Sequence, residues 1–133
     1  MIRRATEALR QAGPEAVLTS HTAVRLYGCT AAELSPIHVM LRPGRRIRGR
    51  VGLTIHRGRW ERYQTEVVHD LRTLSLDHAL AVMLGHAEIG TALLCLNQAL
   101  ARHPPGFRDL VRAAVKVLPD SASRRRAEVL LVS

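Results

Sequence analysis

"IHVMLRPGRRIRGRVGLTIHRGR", residues 37–59, decides how this chain is read. Ile37, Val39 and Leu41 alternate with His38, Met40 and Arg42, which is the period-two pattern of a half-buried strand. Pro43-Gly44 starts a turn. Val51, Leu53 and Ile55 then alternate with Gly52, Thr54 and His56, a second strand. The expectation is an antiparallel hairpin with a basic connection, and Glu66 to Leu71 as a weaker third strand.

The elements around it read as helices. Ile2 to Ala12 places Ile2, Ala5 and Leu9 on one side, and Gly13-Pro14 stops it. In "LTSHTAVRLYG", Thr19 or Ser20 caps a short helix that ends at Gly28. Leu76 to His86, Ile89 to Arg102, Phe107 to Leu118 and a last segment after Ser121 or Ser123 carry apolar residues at helical spacing. Pro104-Pro105 and Pro119 separate them. The predicted fold class is α+β: a small antiparallel sheet with a basic hairpin, packed against a helical C-terminal half. One domain over residues 1–133 is expected, with a helical pair at 2–28, the hairpin and third strand at 37–71 and the helical half at 76–131.

Charge is concentrated rather than spread. The net charge is +9, yet residues 42–62 hold eight arginines and one acid, Glu61, which is +7. The other 112 residues carry only +2. Arginine suits phosphates and guanine edges, and a basic β-ribbon can enter a groove. The candidate nucleic-acid-binding residues are Arg42, Arg45, Arg46, Arg48, Arg50, Arg57 and Arg59. Gly44, Gly49, Gly52 and Gly58 let backbone come close to a partner. Only Trp60 and Tyr63 lie nearby as aromatics, which disfavours a single-strand stacking platform. The competing readings are a solvated loop and an acidic protein partner.

Other chemistry is poorly supported. "LTSHTAVRLYG" resembles part of a helix-turn-helix with Thr22 and Arg25 facing outward, but "CTAAELSPIHV" runs into a strand instead of a recognition helix. Seven histidines are scattered without HExxH spacing, so no metal or other cofactor is expected, although His38 and His56 are placed to meet across the hairpin. There is no phosphate-binding glycine loop and no GxSxG, so no enzyme is expected. Cys29 and Cys95 form no CxxC and read as free thiols of a reducing cytosol. No signal peptide or membrane-length apolar run is visible, which points to a cytoplasmic protein with no membrane partner.

"GPEAVLTSHTAVRLYG", the 37–59 stretch and "LNQALAR" in the helical half together resemble the AbiEi-type antitoxin family of bacterial transcriptional regulators, over roughly residues 13 to 102. Ser20, His21, Ala23 and Gly28 fit that family's first motif, a short helix. Ile37, His38 and Val39 fit its strand motif, with Arg45, Arg46 and Arg48 in the basic turn, and His56 and Arg57 fit the next strand. The resemblance implies a non-enzymatic antitoxin-like or regulatory domain of a toxin-antitoxin system, contacting DNA, with a cognate toxin or a homodimer as alternative partner. The helical stripes through Leu96, Leu100 or Leu131 are the expected protein-binding surface in that alternative.

Two departures limit what is carried over. "TLSLDHALAVML" alters a helix-start motif, and Asn97 stands where the family usually has aspartate. The family's winged helix and, in some relatives, a nuclease like the very-short-patch-repair enzymes have no counterpart in these residues. The nuclease pairs an acid with lysine two positions on; Lys116 is the only lysine, and Ala114 precedes it by two. The expectation is a stand-alone or truncated regulatory domain.

Overall fold

The computed structural model describes residues 1–47, 52–59 and 64–132. In chain order the elements are α1 (Ile2–Ala12), β1 (Val17–Leu18), α2 (Ser20–Leu26), β2 (Ile37–Leu41), β3 (Leu53–Arg57), β4 (Thr65–Val68), β5 (Leu71–Leu74), α3 (Leu76–His86), α4 (Ile89–Arg102), α5 (Phe107–Val115) and α6 (Ser121–Leu131). The fold is α+β, with one mixed sheet in the order β3-β2-β1-β5-β4.

The pairing of β2 with β3 is parallel, not antiparallel. Ile37 lies beside Leu53, Val39 beside Ile55 and Leu41 beside Arg57. Period-two patterning is satisfied by either direction, because direction does not change which side chains share a face. The connection is long enough for either direction. A strand of five residues spans about 17 Å, and the connection, residues 42–52, reaches roughly twice that when extended. The chain therefore has enough length to return along β2 before starting β3. Ile47 on that connection packs, as Leu53 and Ile55 do, against the buried cluster beneath α1. Val51, read as the start of the second strand, lies outside the described residues.

The sheet is covered on both faces. On one face Ile37, Val39 and Leu41 meet Ala5, Ala8, Leu9 and Ala12 of α1. On the other, Met40, Val17 and Leu74 join the core of α2 and the four C-terminal helices. All five residues of β2 are thus buried, whereas its pattern alone suggested a half-exposed strand. Each large apolar side chain fully buried there contributes roughly 1.5–3 kcal/mol. At the centre of the helical half is α3, whose residues Ala79 to Gly85 are all buried. A helix that is apolar all round requires such a central position. Gly85 marks its closest contact: a Cβ there would sit 3.1 Å from Ser123 Cβ of α6. Among the described residues no helix is long and apolar enough to cross a membrane.

Two short elements escape a pattern reading. Val17 and Leu18 form the central strand β1, antiparallel to β2 and parallel to β5. Two residues are too few to register a period. The segment expected as one strand at Glu66 to Leu71 is instead a hairpin, with β4 antiparallel to β5 and Val68 opposite Leu71. Its two turn residues, His69 and Asp70, both have left-handed φ, 50° and 61°. That is what a type I′ turn requires, and Asn-Gly satisfies it at lower steric cost. Replacing His69 by Asn together with Asp70→Gly is expected to raise stability by roughly 0.5–1 kcal/mol. Urea denaturation measures it; a drop in midpoint would contradict the turn geometry.

Candidate nucleic-acid edge and histidine pocket

Parallel pairing changes where the arginines lie. Leu41 and Arg57 are register partners, so both strands end at the same edge of the sheet. Arg42 follows β2 there, and Arg59 follows β3 two residues after Arg57. An antiparallel ribbon would have put Arg57 at the opposite end from Arg42. Arg57 Nη1 donates to the carbonyls of Arg42 and Arg45, which ties the start of the basic connection to the end of β3. Arg45 also reaches α1: its Nη2 lies 2.6 Å from where a Cβ on Gly13 would be. Gly13 has φ 98°, so glycine is demanded there by conformation as well as by space.

Arg45, Arg46, Arg57 and Arg59 are exposed and Arg42 is half-buried. Arg72, not singled out from the sequence, joins the same edge from the start of β5, donating to the carbonyls of Ala16 and Gly13. Arg48 and Arg50 lie outside the described residues. The predicted ribbon entering a groove is corrected to a basic sheet edge.

The helix-turn-helix reading also changes at its residues. Thr22 does not face outward; it is fully buried, and its Oγ1 accepts from the His38 amide at 2.8 Å. Arg25 turns back on its own loop, donating to the Thr30 carbonyl at 2.6 Å. Of the apolar residues proposed for partner binding, Leu96 and Leu131 are buried in the core and Leu100 packs against it.

The second concentration of functional groups lies on the helical face of the sheet. His38 of β2 and His56 of β3 do meet, Nδ1 to Nε2 at 2.9 Å. His38 lies opposite Thr54 and His56 opposite Met40, so the rings are diagonal neighbours on one face. His21 of α2 and His86 of α3 extend the row. Ring centroids are 4.9 Å apart for His21 and His38, 5.2 Å for His38 and His56, and 5.7 Å for His56 and His86. The sequence indicated the His38–His56 meeting alone; His21 and His86 are brought in by helices whose packing has no local signal.

Local bonds fix this row. Glu33 N donates to His21 Nδ1 at 3.2 Å. His86 Nε2 lies 3.2 Å from Ser123 Oγ, which donates to Asp120 at 2.8 Å. Ser123 holds the Asp120 carboxyl below the usual range through side-chain and backbone hydrogen bonds. The rings line a cavity of about 570 Å³ together with Ser20, Met40, Thr54, Val82, Leu118 and Arg57. Ser20 enters α2 with φ 51°, a left-handed backbone that costs a non-glycine residue on the order of 1 kcal/mol or more.

Burial sets the protonation of these rings. Desolvation, then the neighbouring His21, lowers His38 to about 4. Desolvation, then His38, His86 and His21, lowers His56 to about 3. His21 and His86 are lowered as well, chiefly by burial, while Glu33 and Asp120 respectively oppose the shift. All four therefore present neutral imidazoles near neutrality. Among the described residues, no three metal-ligating side chains converge in an arrangement able to hold a metal ion. Both cysteines are free and buried; burial raises Cys29 and takes Cys95 up to about 12, so neither is a reactive thiolate near neutrality. No family model, no curated protein and no solved structure matches the chain.

The lowered histidines make stability depend on pH. The unfolded chain binds protons below about 6.5, whereas the folded rings resist them. Their stabilisation is complete above about 6.5 and is lost as pH falls towards about 4 for His38 and about 3 for His56. The urea midpoint should be lower near pH 5 than near pH 7.5, before most carboxylates titrate. An unchanged midpoint would mean that the rings are hydrated as in the unfolded chain.

Proposed function

We propose that this chain is a non-enzymatic, antitoxin-like regulatory domain that contacts the DNA backbone through the arginine edge. The carrying observation is the Leu41–Arg57 register, which gathers Arg42, Arg57 and Arg59 at one end of the sheet beside Arg45 and Arg46. Exposed guanidinium groups on a firm backbone attract phosphate and impose little sequence preference. The resemblance of residues 13–102 to AbiEi-type regulators supports the same reading. Cytoplasmic residence and a regulatory role follow as parts of this proposal.

A protein-binding role, to a cognate toxin or a second copy, is the alternative. It is favoured by exposed Ile89 and Val129 beside a shallow apolar groove that also includes Ala122 and Leu130. Light scattering and co-purification test it; a monomer that captures no toxin encoded beside it argues against it.

The DNA reading predicts a salt dependence. Engaging four to six phosphates gives a slope of log K against log salt of roughly −4 to −5. Removing Arg45 and Arg46 by alanine substitution should make the slope shallower by about 2, at little cost to folding because both are exposed. Filter binding or fluorescence anisotropy across a salt series measures both values. A flat dependence, or a double variant that binds as the parent does, overturns the reading.

A further inference from the structure

We propose that the histidine pocket receives the base of a nucleotide whose phosphate lies on the arginine edge. This deepens the DNA-backbone reading by giving the same region a base-binding site. Three observations carry it. The first is contiguity. Arg57, next to His56 at the end of β3, is among the residues lining the pocket, and its guanidinium anchors the basic connection, so pocket and arginine edge adjoin at that end of the sheet. The second is the character of the walls. The row of neutral imidazoles presents ring edges and the faces its neighbours leave uncovered, and His38 and His56, bonded to each other through one nitrogen each, keep one further nitrogen each. Met40, Val82 and Leu118 supply apolar wall, while Ser20 and Thr54 supply hydroxyls. A planar heteroaromatic ring with a polar edge is the ligand such walls recognise. The third is size. About 570 Å³ lies within the range of small-molecule sites, roughly 300–1,000 Å³.

Charge orients the ligand. Asp120 lies at the pocket wall with its carboxyl pKa lowered by Ser123, so it repels phosphate and accepts from an exocyclic amine. The phosphate is therefore directed to the Arg57 side. The ring is held by stacking and hydrogen bonds, as when an unpaired base is accommodated in a protein pocket. The source is either a free mononucleotide or an unpaired base within a strand.

Titration of the full chain by NMR, reading the histidine Cε1–H resonances, tests this. AMP, GMP, CMP and UMP are the probes, and ribose 5-phosphate is the control without a base. At least one mononucleotide should move the resonances of His38, His56 and His86, and ribose 5-phosphate should leave them in place. A short single-stranded oligonucleotide that moves them too assigns a base within a strand; movement by mononucleotides alone assigns a free nucleotide. His86 is the most exposed of the four rings, so His86→Trp should fold and narrow the pocket it lines. It should abolish the mononucleotide response while leaving the salt slope of duplex binding unchanged. Equal responses to ribose 5-phosphate and to mononucleotides, or no response to any of them at millimolar concentration, overturns the pocket. Duplex binding that is flat in salt while the histidine response persists instead overturns the arginine edge. His56→Phe, which keeps a flat aromatic side chain but is somewhat larger and lacks both nitrogens, provides a second variant: it should weaken the response of His38 and His86 at least tenfold, with the fold checked by circular dichroism.

Discussion

The parallel pairing of β2 with β3 is the constraint on which the functional surface depends. Parallel strands share an end, and here that end carries Leu41 and Arg57 in register. Everything following either strand is then forced into one neighbourhood. Like charges crowded together repel, and such an arrangement costs stability unless water, counterions or a ligand screens it. The backbone offsets part of this by giving Arg57 two carbonyls to hold. The same pairing sets His56 diagonal to His38 and so builds the centre of the pocket on the opposite face.

The two faces of the sheet divide the work. The α1 face is aliphatic, and small alanines at positions 5, 8 and 12 let the helix lie close to the strands. The other face carries histidine and methionine where an ordinary core would have valine or leucine. Burying polar rings costs free energy unless their nitrogens find partners. Here His38 and His56 partner each other, and Glu33 and Ser123 partner His21 and His86 at the two ends. A strained Ser20 and a glycine-tight contact between α3 and α6 border this region. Polar burial and strain converge where a purely structural face would have neither.

The legible and illegible parts of the chain separate by range. Helices α1, α3 and α4 run where the sequence indicates: Gly13-Pro14 ends α1, Pro104-Pro105 follows α4, and apolar residues recur at helical spacing through all three. The α+β class follows from those helices together with the alternation at residues 37–41 and 51–56. Strand direction was not legible, since the alternation in Ile37–Leu41 and Leu53–Arg57 is indifferent to it. Nor was β1, whose two residues carry no period, nor the split at His69-Asp70, where Asp70 favours turns but the glycine of an Asn-Gly or Asp-Gly pair is missing. The arginine cluster was visible as composition, but its shape was not: a ribbon tip and a sheet edge have the same sequence. The histidine row shows this most clearly. His38 and His56 could be paired from their common face, while His21 and His86 lie on helices that only tertiary packing brings across.

The 2.9 Å contact between His38 Nδ1 and His56 Nε2 has a further consequence. Two neutral rings can place only one proton in that gap. If His56 donates there, its other nitrogen is an acceptor, and His38 must carry its proton on the outer nitrogen. If His38 donates, both assignments reverse. The pair therefore always offers its surroundings one donor and one acceptor, and exchanging tautomers swaps them together with no change in net charge. A rigid pair of side chains thus holds two complementary hydrogen-bonding patterns, and whatever lies against it selects between them.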